Sequence, residues 1–210
     1  MSARPKRRTL ARADSVRRAT SRPHVIVRVA PRLAGPLLFR RPYAARPGRN
    51  YGFPFCWSEG LWTGPAARGT GAQHLDPDEP GGFSEARCQD PAQVVPPVAA
   101  LRAHLAPLDL VEYAGAGYPA AFTGDLFVTS HGSWNRESGQ VGRLIIRLHP
   151  TATGLVAAET FLGQAGAGGA LIEGGWALRP VSIRIDPAGL LTFSDDNSGT
   201  IHKIGYRPAP

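Results

Sequence analysis

Long apolar runs are missing from this 210-residue chain: none approaches the ~20 residues that an α-helix needs to cross a bilayer. Cysteine is scarce, occurring only at Cys56 and Cys88, and there is no Cys-x-x-Cys spacing. Two thiols cannot hold zinc without His or carboxylate help, and His74, which lies between them, has no evident second ligand. A disulfide, a pair of buried thiols and a metal site all stay open; the disulfide is preferred because it would pin the long loop between them. Acidic residues are nearly absent from the first 49 positions, where Asp14 stands alone. The carboxylates that do cluster, in His74–Glu79, do not have the spacing of an EF-hand and read as a solvated turn. No motif that reads bases is present, and the first 49 residues offer only Phe39 and Tyr43 for stacking. A specific nucleic-acid partner is therefore not expected.

Glycine and proline, at 25 and 20, are plentiful. That favours many short strands joined by turns over long helices. The formal charge of +8 is uneven: residues 1–49 carry 14 Lys/Arg against one acid, whereas residues 50–210 carry 10 against 15. The basic character belongs to an arm, residues 1–49, attached to a mildly acidic domain, residues 50–210. The arm is Arg/Ser-rich and acid-poor, a composition shared by organelle transit segments, by nonspecific electrostatic tails and by a misjoined exon. Its short apolar pieces, His24–Val29 and Leu33–Phe39, are broken by Pro31 and Pro36, so it is expected to be largely disordered. A transit-like arm and a disulfide point to different compartments, organellar or secreted.

Residues 58–97 are Gly/Pro/polar without sustained periodicity and are expected to form an irregular, cystine-pinned connection. Just before them, Asn50–Trp57 packs several aromatic rings into a loop. From 108 onward a pattern repeats. Leu126-Phe127-Val128 runs through a polar loop to Leu144-Ile145-Ile146, and Leu191-Thr192-Phe193 runs through Asp195-Asp196-Asn197-Ser198 to Thr200–Ile204. A further strand candidate precedes each hairpin, Leu110–Tyr113 and Val181–Ile185, the second alternating apolar with polar residues. Repeated meanders of this kind read as β-propeller blades, which bury their faces against one another. The fold class expected is all-β, a partial propeller of two to three blades. Closed propellers typically have 4–8 blades, so closure is expected to need missing blades or a partner chain.

The loop after Val128 carries an imidazole, an indole, an amide and a guanidinium: His131, Trp134, Asn135 and Arg136. Such a set on a rigid strand end reads as a ligand site, the alternative being a packed indole, a solvated arginine and a turn-capping histidine. Arg179, aimed by the stiff Pro180 that follows, is expected at the same end. Arginines with histidine and tryptophan suit an anionic, planar ligand. Asp195-Asp196-Asn197 reads most simply as an acidic turn.

Five strings occur in order: Asn-Tyr-Gly-Phe-Pro-Phe-Cys at 50–56, Ala-His-Leu-Ala-Pro-Leu at 103–108, Gly-Asp-Leu-Phe-Val-x-x-His-Gly-Ser-Trp-Asn-Arg at 124–136, Arg-Pro-Val-Ser-Ile at 179–183 and Ser-Asp-Asp at 194–196. Together they resemble the C-terminal part of the pyrroloquinoline quinone (PQQ)-dependent sugar dehydrogenases, the L-sorbosone and pyranose dehydrogenase-like group. The resemblance covers residues 50–210 and leaves the arm out. It implies a six-bladed propeller holding PQQ and calcium, and a small-molecule sugar oxidised at its anomeric or aldehyde carbon. It also implies that His131, Trp134, Asn135, Arg136 and Arg179 face the cofactor. The group's proton-accepting histidine and much of its calcium site have no counterpart here, so an inactive fragment is expected, the alternative being a non-catalytic ligand- or protein-binding propeller module.

Overall fold

A computed structural model describes residues 47–63, 66–78, 81–97, 99, 101, 104–133, 139–150, 156–165, 171–172 and 175–206. The described chain is all-β, with one five-residue helix, α1 (Glu85–Gln89), and a 3-10 turn at Ala120–Phe122. Six strands form an antiparallel sheet in the order β1 (Cys56–Thr63), β2 (Ala66–Leu75), β6 (Val156–Leu162), β5 (Leu144–Pro150), β4 (Leu126–Ser130), β3 (Pro107–Glu112). Two short strands, β7 (Gln164–Ala165) and β8 (Leu171–Ile172), pair with each other. A second sheet of three strands has the order β11 (Thr200–Ile204), β10 (Leu191–Asp195), β9 (Pro180–Ile185).

Strand β4 is buried along its whole length, and its alternation divides two cores. Leu126 and Val128 face a cluster with Leu101, Leu105, Ile146 and Leu148. Phe127 faces the other way, into a cluster with Ile145, Ile183, Leu191 and Phe193 that joins the two sheets. A strand covered on both faces must be apolar on both, which is why Leu-Phe-Val runs without a break. Each fully buried side chain of this size contributes roughly 1.5–3 kcal/mol through its removal from water.

Polar ties fix how the sheets meet. The Asp109 carboxylate on β3 reaches β9, where it accepts from Ser182 Oγ at 2.7 Å, the Ile183 N–H at 3.1 Å and Arg184 Nη1 at 2.5 Å. Burial pushes this carboxyl up, but those donors and the Leu110 N–H outweigh it and hold it below the usual aspartate value. Thr129 Oγ1 donates to the Val181 carbonyl at 2.6 Å. Tyr113 Oη donates to the Gly189 carbonyl at 2.7 Å, and this contact brings the Gly115–Gly117 segment against the β9–β10 turn. A Cβ on Gly189, whose φ is +78°, would lie 2.6 Å from the Ala116 nitrogen.

The six strands anticipated after residue 108 are present. The expectation of an irregular connection at 58–97 is corrected: it opens with the β1–β2 hairpin, in which Cys56 pairs with Leu75 and Thr63 with Ala66. Backbone pairing carries this hairpin, through a glycine-rich sequence that gives no alternating signal. The Cys56–Cys88 disulfide forms, tying β1 to α1. The arm to residue 46 lies outside the described residues.

Candidate functional site

One end of the two packed sheets holds a cavity of about 380 Å³ lined by Ala106, His131, Gly132, Ser133, Gln140, Arg143 and Arg179. His131 follows the last residue of β4, and its N–H donates to the Ala106 carbonyl at 3.0 Å. Gly132 donates to the Leu105 carbonyl at 2.9 Å. Ser133 and Val141 close the neck of the loop: the Ser133 N–H donates to the Val141 carbonyl, and the Val141 N–H to Ser133 Oγ. Gly132 has φ +88°, and a Cβ there would stand 2.7 Å from the Val141 oxygen, so the turn that presents His131 requires glycine.

Arg179 comes from the other sheet. Its backbone N–H donates to Asp195 Oδ1 at 2.7 Å, and Pro180 follows to begin β9. Asp195, on β10, is buried and also accepts from the Asn197 N–H at 3.0 Å and Ser198 Oγ at 2.5 Å. Burial raises its carboxyl, but the Ser198 hydroxyl, the two backbone N–H groups and the nearby His202 prevail, bringing it down to about 2. Asp195 thus stays anionic and anchors the backbone from which Arg179 projects.

The two sheets meet at the cavity mouth through side chains. Arg179 Nη2 lies 2.8 Å from His131 Nε2, and Asp196 Oδ2 lies 2.8 Å from the same nitrogen. Arg179 Nε lies 3.4 Å from Asp196 Oδ1. One ring nitrogen cannot serve both partners: protonated, it donates to Asp196; bare, it accepts from Arg179. Either way, a carboxylate already fits against the Arg179–His131 pair. Arg143, also on the cavity wall, donates from Nη1 to the Trp176 carbonyl at 3.2 Å, and its buried Nε has no hydrogen-bond partner. The cavity therefore presents two guanidinium groups and an imidazole, with Asp196 as their counter-ion at the rim. Donors of this kind suit an anion, and carboxylates match the planar guanidinium fork best.

Of the anticipated site residues, the structure brings His131 and Arg179 into contact. Trp134, Asn135 and Arg136 lie outside the described residues. Sequence reasoning did not single out Arg143 and did not assign Asp195 or Asp196 to the site. Asp195-Asp196-Asn197 forms a turn, but with its first carboxylate buried beneath Arg179 and its second on His131. A signal existed for the first of them: Asp195 stands two residues before Asn197, the spacing at which an aspartate side chain accepts its own turn's backbone N–H. Among the described residues no group of three His, Cys, Asp or Glu side chains could hold a metal ion.

Comparison with known proteins bears on the family. The family model described as TrAA12-like matches residues 37–207. The solved iodide structure of the Trichoderma reesei carbohydrate-active enzyme of family AA12 is similar at 26% identity, with a TM-score of 0.53, over 73% of this chain and 38% of that one. The calcium structure of the same enzyme aligns at 24% identity and a TM-score of 0.49. An uncharacterized protein of Borreliella burgdorferi is 33% identical over 114 residues, 53% of this chain and 29% of that protein. This chain thus spans well under half the length of each relative. The family drawn from short motifs, the PQQ-dependent sorbosone and pyranose dehydrogenase-like propellers, is corrected by the family model and the iodide structure, which name AA12. Five short strings sample a strand-and-loop context, whereas the family model weighs the whole span, which places the chain in the TrAA12-like family.

Proposed function

We propose that this chain is a portion of a carbohydrate-active oxidoreductase, and that its cavity binds a carboxylate-bearing, planar redox cofactor. Similarity to the Trichoderma relative, a carbohydrate-active enzyme, supports the substrate class. One observation carries the site: Arg179 and His131, from different sheets, meet at 2.8 Å on the wall of a cavity that Arg143 also lines. PQQ, a planar tricarboxylate, fits this donor set. Calcium has no such support, since the described residues offer it no ligand cluster.

In this reading the quinone, when bound, supplies two-electron acceptance. Arg143 and Arg179 would hold its carboxylates, His131 would orient it through a ring nitrogen, and Asp196 would release Arg179 as the ligand carboxylate replaces it. Asp195 positions Arg179 without touching the ligand. The two packed sheets are, on the same proposal, neighbouring blades of a propeller. Their shared hydrophobic core and the meeting of both sets of loops at one end support that arrangement.

The alternative is that the same donor set binds its ligand without turnover. Calorimetric titration of PQQ tests the site, and dye-coupled sugar oxidation separates the two readings. Arg143→Met is expected to weaken binding by about 10- to 100-fold, the loss for hydrogen bonds to a charged group. Unchanged affinity in that variant would remove the cavity from the proposal.

A further inference from the structure

Asp196 is presented to the cavity by a turn that does not need its side chain. The turn, residues 196–199, joins β10 to β11 and is held by its neighbours. Asp195 accepts from the Asn197 N–H and Ser198 Oγ with its carboxylate, and from the Gly199 N–H at 3.0 Å with its carbonyl. Asn197 Nδ2 donates to the Ala177 carbonyl at 2.9 Å. The Asp196 N–H donates to the Arg179 carbonyl at 3.3 Å, which sets the two residues side by side. The Asp196 carboxylate makes no bond within the turn. Among the described residues its partners are His131 Nε2 at 2.8 Å and Arg179 Nε at 3.4 Å.

Arg179 and His131 line the cavity. The chain's own carboxylate therefore sits on the two donors that a ligand carboxylate would use. A group tethered within reach of its partner acts at an effective concentration on the order of millimolar, so it opposes every anion that needs Arg179. Its hold is limited by water: the Asp196 side chain is 47% exposed and that of Arg179 33%. An ion pair so placed shifts an equilibrium by up to about fivefold, and the bond to the His131 ring adds to it. That is weak enough to yield to a ligand with a second anionic group, because Arg143, on the same cavity wall, has no carboxylate partner among the described residues. Asp196 thus opposes a lone carboxylate most effectively and still admits a ligand that reaches both guanidinium groups.

We propose that Asp196 is an internal competitor: it occupies the Arg179–His131 pair in the empty site and sets the affinity of the cavity for a carboxylate ligand. This rests on the reading of the cavity as a carboxylate receptor. Calorimetric titration of the full chain with PQQ at one fixed ionic strength tests it. Asp196→Asn and Asp196→Ala are each expected to bind PQQ about three- to tenfold more tightly than the parent chain, and the gain is expected to vanish when Arg179→Met is also present. Equal or weaker binding in both Asp196 variants overturns the proposal. A gain that survives undiminished beside Arg179→Met also overturns it, because the carboxylate would then act through the general field of the site rather than by occupying Arg179. A check on the parent chain needs no substitution: the Asp196 carboxyl carbon resonance should move as PQQ binds, and an unmoved resonance at saturation overturns the proposal. Arg143→Met separates this inference from the reading beneath it. If that variant binds PQQ as the parent does, the receptor reading fails and takes this inference with it; if it weakens binding while the Asp196 variants match the parent, the competitor alone fails.

Discussion

Replacing Asp195 by Asn tests the link between the buried carboxylate and the placement of Arg179. Asp195 accepts from the Arg179 N–H at 2.7 Å, the Asn197 N–H at 3.0 Å and Ser198 Oγ at 2.5 Å, and its side chain is fully buried. Its pKa falls from 3.8 to about 2 on folding. A depressed carboxyl contributes stability above its unfolded pKa and loses it as pH falls toward the folded value. The shift corresponds to about 2 kcal/mol at pH 7, falling to about 1 kcal/mol at pH 3. Asn keeps the shape but loses the charge and one acceptor. Urea unfolding should therefore show Asp195→Asn less stable by about 2–3 kcal/mol at neutral pH, with the gap roughly halved at pH 3. A gap that stays constant from pH 7 to pH 3 would refute the assignment of the stabilisation to an ionised Asp195.

Asp109→Asn should loosen the packing of β3 on β9. A cost of about 1–3 kcal/mol in urea unfolding is expected from donors left imperfectly paired, and a neutral substitution would show that the inter-sheet tie contributes nothing. Replacing Cys56 and Cys88 by Ser opens a loop with a sequence separation of 32, which should cost about 3–4 kcal/mol by chain entropy; reductant should destabilise the parent similarly and leave the variant unaffected. Gly132→Ala puts a Cβ 2.7 Å from the Val141 carbonyl at φ +88°, so a loss of at least about 1 kcal/mol is expected, together with weaker binding of a carboxylate ligand.

Where burial wrote itself into side-chain type, the sequence was easy to read. Strand β4 is buried on both faces, so Leu126-Phe127-Val128 had to be apolar throughout, and β9 shows its half-buried state through Val181, Ile183 and Ile185. The β1–β2 hairpin was illegible because Gly60, Gly69 and Gly71 leave little side-chain pattern, and its pairing lies in the backbone ladder. Strand β6 hid for a related reason: Ala157-Ala158 near its start has weak strand preference. At the site, His131 stood out as an unusual residue on a strand end, and Arg179 through the proline that follows it. Asp196 and Arg143 did not, because their roles come from contacts made across the fold: Asp196 meets His131 over 65 positions of sequence, and Arg143 reaches Trp176 over 33. Short-range pattern holds no record of such meetings. The same limit explains the family correction: isolated strings reported the local loop, and only the pattern over residues 37–207 distinguished the family.

The central claim is that Arg143, Arg179 and His131 form a receptor for ligand carboxylates. Calorimetric titration of the full chain with PQQ and with its trimethyl ester, which keeps the ring and removes the charges, tests it most directly. The free acid should bind at least about tenfold more tightly than the ester, by at least ~1.4 kcal/mol; equal affinities would contradict the account.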